Sequence, residues 1–436
     1  MSRNRVISAI DVGSSKVSTI IGQIVDNQEK INIIGVSSIP STGVKKGQIV
    51  DINLAADSIV KSVEAAERMA GCQVNRISVT VGGAHISSQN SHGVVAVSNT
   101  EGEIIEEDVR RVVEAARAIS IPSTREILHV IPRKYTVDTQ EEIVDPVGMC
   151  GTRLEIETHI ITGSTTAIKN LSRCISEVGA EINEWVFSGL ASSKAVLSDT
   201  DKDLGVILID IGGGTTSVVV FNEGSPIYST VLPVGAINVT KDLATGLRLS
   251  SLESAEKVKV ALSNESRRFS SRGDSSIKTK EEKEKEDEFN LAELGIEEDT
   301  RKVSKKTLNE GIVKPRMCEI FSLVLLDLQK NGFDGLSPSG VVLTGGGSLT
   351  IGAVDVCKRI LSLPARIGYP ARVSGLVDDI LDPAFSAPIG LLLRQVEKDI
   401  DIKNSSSGSR FSSVASKIPV KGIVGKMTTF FKKFLP

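Results

Sequence analysis

Two aspartates, Asp11 and Asp210, each close an apolar run and are each followed at once by a turn of glycine and hydroxyl residues. In VISAIDVGSSK the run Val6 to Ile10 leads into Asp11, with Gly13, Ser14, Ser15 and Lys16 behind it. In VILIDIGGGTTSVVVF the run Val206 to Ile209 leads into Asp210, then Gly212, Gly213, Gly214, Thr215 and Thr216, then Val218 to Phe221. Both read as strand, aspartate, tight turn, strand. Glycines let backbone N–H groups approach a phosphate closely, and Ser or Thr hydroxyls add donors. A carboxylate beside such a turn suits hydrated Mg²⁺, which binds through few carboxylates, water and the nucleotide's own phosphates. A single glycine turn between apolar strands is ordinarily only a hairpin. Its recurrence points to two related half-domains that clamp a triphosphate from both sides. Neither GxxxxGK[ST] nor a GxGxxG after a strand occurs, which disfavours P-loop and dinucleotide folds. A third cluster, GVVLTGGGSLTIG at 340–352, follows an apolar run and would offer Gly345, Gly346 and Gly347 as a backbone shelf for adenosine.

With these three motifs in order, the chain resembles the actin, heat-shock-chaperone and sugar-kinase superfamily, and within it the FtsA family of actin-like bacterial cell-division proteins. DVGSSK is similar to the first phosphate motif, DIGGGTT to the second and LTGGGS to the adenosine motif. VFSGLASSKAVL (186–197) and AFSAPIGLLL (384–393) resemble the two helices that connect the lobes, and AEKVK carries the pair Glu256 and Lys259 that reaches the nucleoside in the superfamily. The stretches that single out FtsA are SVTVGGAHISSQNSHGVVAVS with the segments through VDPVGMCGTRLE, similar to its small inserted subdomain, and VSKKTLNEGIVKPRMCEIF at 303–321. Two departures stand out. Ser217 follows DIGGGTT where the family often has aspartate, and Ser188 stands where chaperone relatives carry an acid and actins a glutamine near the attacking water. Serine without a matched partner is a poor general base, so ATP binding with slow or negligible hydrolysis is expected.

The strand–turn–strand repeats imply two related half-domains, and the resemblance implies that they form a two-lobed α/β actin-like fold. The first lobe is expected over 1–83 and 163–203, with the FtsA-type subdomain over 84–162. The second lobe is expected over 204–243 and 308–398, with its small subdomain, including a charged loop, over 244–307. A flexible linker (399–419) and an amphipathic helix (420–436) would complete the chain. At 436 residues, length alone points to two or three folding units.

Charge is unevenly spread. Lys403 to Pro436 carries seven Lys or Arg and no Asp or Glu, so the preceding body holds −10 of a net −3. The Ser-rich stretch 403–417 reads as a linker. Beyond it, at 100° per residue, Val420, Ile423, Val424, Met427, Phe430, Phe431, Phe434 and Leu435 fall within about 140° of arc. Lys421, Lys426, Lys432 and Lys433 lie outside that arc. Such a segment is too short to span a bilayer but suits the headgroup region of an anionic membrane. One such helix binds weakly, so firm attachment needs several copies, as in a filament. The FtsA resemblance implies the same tail and the same self-association.

It also implies the C-terminal peptide of the tubulin-like FtsZ as partner, for which Arg301, Lys302 and Lys305 are candidate contacts, and further division proteins. The expected role is tethering the FtsZ ring at the cytoplasmic side of the plasma membrane, at the division site. No nucleic-acid partner is expected from the near-neutral charge. Five scattered cysteines without metal spacing read as reduced thiols, and the four histidines as structural. A PilM-like pilus-assembly ATPase adaptor and a superfamily sugar kinase are the alternatives.

Overall fold

The computed structural model describes residues 5–24, 31–272, 287–296, 302–333, 339–376 and 380–398. Near-continuous apolar runs, the pattern of strands covered on both faces, make the centre of each lobe. In the first, β1 (Arg5–Val12), β2 (Lys16–Ile24) and β3 (Ile31–Pro40) form an antiparallel meander. A short pair, β4 (Val44–Lys45) and β5 (Gln48–Ile49), leads into α1 (Ile52–Ala70). This helix is capped by Asp51, which accepts from the Leu54 N–H, and ends at Gly71 in the left-handed region. β6 (Arg76–Val81) then lies parallel to β1.

There the chain leaves the sheet. β7 (Ser87–Ala96), α2 (Glu106–Arg117), β8 (Arg125–Val137), β9 (Gln140–Ile143) and β10 (Arg153–Ser164) build a four-stranded sheet, order β7-β10-β8-β9. Its core, around Ile104, Val112, Leu154 and Ile156, is separate from those of the lobes. α2 seats closely on β7 because Gly93 has no side chain: a Cβ there would stand 2.5 Å from the Val112 carbonyl. α3 (Thr165–Ser176) returns the chain to β11 (Glu181–Phe187), parallel to β6. α4 (Ser188–Val196) and α5 (Asp199–Leu204) follow.

The second lobe repeats the first. β12 (Val206–Ile211), β13 (Thr216–Asn222) and β14 (Ser225–Leu232) form another antiparallel meander. The crossover to the next strand holds α6 (Ile237–Leu247), α7 (Leu252–Arg272), β15 (Glu288–Asn290), β16 (Lys302–Ser304), α8 (Lys305–Leu308), a π-turn over Asn309–Val313 and α9 (Lys314–Lys330). β17 (Val341–Thr344) then lies parallel to β12, α10 (Ala353–Leu361) follows, and β18 (Ala365–Ile367) lies parallel to β17. Read from one edge, β3-β2-β1-β6-β11 and β14-β13-β12-β17-β18 have the same order and the same strand directions. The repeated motif is thus part of a repeated sheet.

The two lobes are joined in three ways. α4 packs against β6 and β11 of one sheet and β12, β13 and β17 of the other. It also meets the helix over 386–398 (α11) at Gly390, where any Cβ would strike the Ala191 carbonyl. β19 (Val373–Gly375), late in the chain, returns to pair in parallel with the edge strand β3. Finally, the inserted sheet docks on the other edge strand, β14. Ser88 donates to the Ser229 carbonyl at 2.8 Å and accepts from the Ser229 N–H at 2.9 Å, while the Asn90 amide donates to the Ile227 carbonyl at 3.2 Å.

His159 lies opposite Asn90 in register and is fully buried. Asn90 Oδ1 can only accept, so His159 Nδ1–H donates to it at 2.7 Å and Nε2 accepts from the Ser229 hydroxyl at 3.0 Å. Burial, with Arg133 nearby, pushes its pKa down to about 3. The imidazole is therefore a neutral structural link. His129 has a related part, accepting from the Phe187 N–H at 2.9 Å. All five cysteines are free thiols. Among the described residues no helix is long and apolar enough to cross a membrane. The linker and tail, 399–436, lie outside the described residues, as do Arg301 and the charged stretch 273–286.

Candidate functional site

The hairpins β1–β2 and β12–β13 present their turns to each other. A Cβ on Gly213 would stand 2.6 Å from Ser15 Cβ, and one on Gly214 2.8 Å from Ser14 Cβ, so the turns pack against one another because the second is glycine. Each turn closes on itself alike: the Gly13 N–H donates to the Lys16 carbonyl at 3.0 Å, and the Gly212 N–H to the Thr215 carbonyl at 2.9 Å. The Ser14 hydroxyl accepts from the Gly47 N–H at 2.8 Å, tying the first turn to the β4–β5 loop.

Between these turns and the helices of the second lobe lies a cavity of about 480 Å³, a size suited to a small-molecule ligand. Its wall includes Asp11, Gly13, Ser14, Ser15, Lys16, Asp210, Gly212 and Gly213 from the hairpins, Glu256 and Lys259 from α7, and Gly345, Gly346 and Gly347 beyond β17. Three residues expected with them take other places. Gly214 packs on Ser14, Thr215 closes the turn, and the fully buried Thr216 donates its hydroxyl to the Val234 carbonyl at 2.8 Å. The expectation that Thr216 offers a hydroxyl to phosphate is therefore corrected: β13 begins at this residue and turns its side chain to the core.

Gly345 has φ +78°, which favours glycine, and a Cβ there would collide with Asp210 Oδ1. The third glycine cluster thus lies directly against the second aspartate. Across the cavity, Lys259 is buried and donates to Glu256 Oε2 at 2.7 Å and to Thr240 Oγ1 at 3.0 Å, holding the pair in place.

Charge defines the floor. Burial pushes the Asp11 carboxyl above its ordinary range, and a hydroxyl bond from Thr80 and the charge of Lys16 partly oppose this. Burial pushes Asp210 up to about 6, against a hydroxyl bond from Ser192, and the neighbouring Asp11 charge adds to the rise. Lys16 is driven down by burial and supported by Asp11 and Asp382, and its ammonium rests 3.7 Å above the Phe385 ring. Two desolvated, mutually repelling carboxylates beside backbone N–H groups are a donor set that a hard divalent cation would relieve. Among the described residues no three His, Cys, Asp or Glu are grouped to hold a metal by themselves. The site fits Mg²⁺, which needs few carboxylates and keeps several of its waters.

Sequence reading missed part of this wall. Asp382, Pro383 and Ala384 line the cavity, with Asp382 Oδ1 accepting from the Ala384 N–H at 2.8 Å. The Asp-Pro pair opening a helix was the available signal. Thr80 and Ser192, which hold the two aspartates, carry no local signal. Ser188 sits apart from the cavity wall, its hydroxyl 3.2 Å from that of Ser217. Of the peptide candidates, Lys302 pairs with Glu288 at 2.8 Å and Lys305 with Glu265 at 2.7 Å.

Comparison with known proteins bears on this geometry. Residues 83–162 match the model of the SHS2 domain inserted in FtsA, and residues 207–390 match that of cell division protein FtsA. The chain is 38% identical over 434 residues to cell division protein FtsA of Borreliella burgdorferi, covering 99% of each chain. It is 35% identical to that of Pseudomonas aeruginosa, covering 95% of each, and 38% identical to that of Bacillus subtilis, covering 90% of this chain and 84% of the other. Among solved structures, the PilM–PilN type IV pilus biogenesis complex aligns at TM-score 0.60 with 15% identity, over 89% of this chain and 98% of that one. MreB5 of Spiroplasma citri bound to ADP aligns at TM-score 0.50 with 14% identity, over 91% and 98%. These two likenesses establish an actin-like fold and no more. Two family models on a duplicated-lobe fold, and identities above one third along nearly the whole chain, place this protein in the FtsA family of cell-division proteins.

Proposed function

We propose that the cleft binds ATP with Mg²⁺ and that the nucleotide-bound protein self-assembles, attaches to anionic lipid through its tail and tethers the FtsZ ring to the inner face of the plasma membrane. The observation that carries this reading is the turn-to-turn meeting of the two glycine hairpins over Asp11 and Asp210. The N–H groups of Ser14, Ser15 and Gly213 and the two serine hydroxyls would receive the phosphates, on turns that Gly13 and Gly212 close, with Lys16 supplying a point charge. Glu256, Lys259 and Gly345 to Gly347 would receive the nucleoside. Asp11 and Asp210 would hold Mg²⁺ through water. When bound, the ion would neutralise phosphate charge. Hydrolysis would be slow, because Ser188 faces another hydroxyl, Ser217, rather than a carboxylate or imidazole.

The membrane part rests on sequence: the acid-free basic stretch from Lys403 and the apolar arc from Val420 to Leu435. Family membership supports FtsZ as partner, and an acidic peptide reaching Lys302 and Lys305 would compete with Glu288 and Glu265. A pilus adaptor shares the fold but would need no amphipathic tail. The test is co-sedimentation with anionic liposomes, with and without Mg·ATP, of the whole chain and of one ending at Lys417. Nucleotide-dependent pelleting of the whole chain alone is the expected result. Equal pelleting of both, or of neither, would overturn the tether.

A further inference from the structure

Each cleft aspartate is held from behind by one buried hydroxyl. Thr80 Oγ1 donates to Asp11 Oδ1 at 2.5 Å, and Ser192 Oγ donates to Asp210 Oδ2 at 2.5 Å. Thr80 is 3% exposed and Ser192 not at all. The second oxygen of each carboxylate faces a glycine of the cavity: Asp11 Oδ2 the Gly13 turn, Asp210 Oδ1 Gly345. One oxygen is thus fixed and the other is left toward the cavity.

The two hydroxyls do not occupy equivalent places in the repeated sheets. β6 runs parallel to β1, and Thr80 follows the paired residues Ile10 and Val79, which sets it beside Asp11. The corresponding residue of the second sheet is Thr344, which pairs with Asp210 in register. Yet the Thr344 hydroxyl is within 2.6 Å of the Ser386 hydroxyl and donates to the Gly368 carbonyl at 3.2 Å. The donor to Asp210 comes instead from α4, the helix that touches both sheets. Asp11 is held from within its own lobe, and Asp210 by the helix between the lobes.

We propose that Thr80 and Ser192 are positioning residues for the metal half of the ligand, each fixing the carboxylate that would hold Mg²⁺ through water, so that the site's gain from Mg²⁺ depends on them. This rests on the reading of the cleft as a Mg²⁺-nucleotide site. A carboxylate otherwise turns broadly about its last torsion. A carboxylate that holds the metal through a bound water is an outer-shell partner, whose loss costs about 10–100-fold in metal affinity, and the hydroxyl behind it keeps it aimed at that water. Because α4 carries Ser192, the orientation of Asp210 also follows the packing of that helix against α11 at Gly390.

The test is displacement of a fluorescent ADP analogue by ADP from the full chain, with Mg²⁺ and with EDTA, the ratio of the two dissociation constants being the Mg²⁺ gain. Thr80→Val and Ser192→Ala should each lower that gain several-fold, up to about 10-fold, while the value in EDTA changes by less than about twofold. Thr80→Ser, which keeps the hydroxyl, should retain the gain. Equal weakening with and without Mg²⁺, or no change in either, would overturn the proposal. An unchanged gain in Asp210→Asn would overturn the assignment of Asp210 to the metal, and no ADP binding by the unaltered chain would overturn the nucleotide reading. Should Ser192→Ala not fold, the Thr80→Val and Thr80→Ser pair decides the same question.

Discussion

The two lobes share one sheet topology yet were enlarged at different crossovers. In the first, the insertion falls between β6 and β11, and in the second between β14 and β17. What is duplicated makes the cleft, and what is not makes the remaining contacts between lobes. The buried polar groups differ accordingly. At the cleft the buried groups are carboxylates with raised pKa and a lysine with a lowered one, a costly arrangement that a ligand would relieve. Where the insert meets β14, Ser88, Asn90, His159 and Ser229 are neutral and satisfy one another. Buried charge left under strain marks a place for binding, and buried polarity without charge marks a joint.

That contrast can be broken most sharply at Asp210. Asp210→Asn should weaken Mg·ATP binding about 10–100-fold by calorimetry, since the carboxylate proposed to hold Mg²⁺ through water is removed. It should also stabilise the ligand-free protein by roughly 1–3 kcal/mol at pH 7 in denaturant titrations, since a raised carboxyl pKa disfavours the ionised form. The sign follows from the shift: with the folded pKa near 6 against 3.8, the ligand-free protein gains stability from this group as pH falls from above 6 toward 3.8. A loss of stability in the variant would contradict the contrast.

The joint should behave oppositely. Ser88→Ala leaves both backbone groups of Ser229 without their present partner and should cost roughly 2–3 kcal/mol in denaturant titrations, with nucleotide affinity within about twofold of the unaltered chain. His159 sharpens the point. Its folded pKa of about 3 lies below the ordinary 6.5, so between these values the unfolded chain binds the proton and the native one does not. The stabilisation is full above pH 6.5 and is lost as pH falls, by about 2 kcal/mol at pH 5. His159→Gln should flatten that acid limb when denaturation midpoints are compared across pH. The smallest effect is expected at the rim, where Lys134 pairs with Glu223 at 2.5 Å with both side chains partly exposed. Glu223→Gln should cost about 0.5 kcal/mol and nothing measurable at high salt.

Much of the cleft was legible along the chain because its parts are local. A strand, an aspartate and a glycine turn are contiguous residues, and their chemistry depends on backbone N–H groups that the same few residues supply. Thirteen of the expected cleft positions from Asp11 to Gly347 accordingly line one cavity. Thr216 misled for a local reason too: at the boundary of turn and strand, one residue decides whether a side chain meets the cavity or the core.

The sequence by itself determined the family, the two-lobed plan, the two hairpins and the chemical character of the basic tail, since each is written in residue types at short spacing. Only the tertiary structure decided that the hairpins touch turn to turn and that the insert closes on β14 through Ser88, Asn90 and His159. It alone decided that Thr80 serves Asp11 while Ser192, rather than Thr344, serves Asp210. The physical reason is distance along the chain. A hydroxyl finds its acceptor 69 residues away for Thr80 and Asp11, or across the two lobes for His159 and Ser229, only after the sheets and helices have set the meeting place.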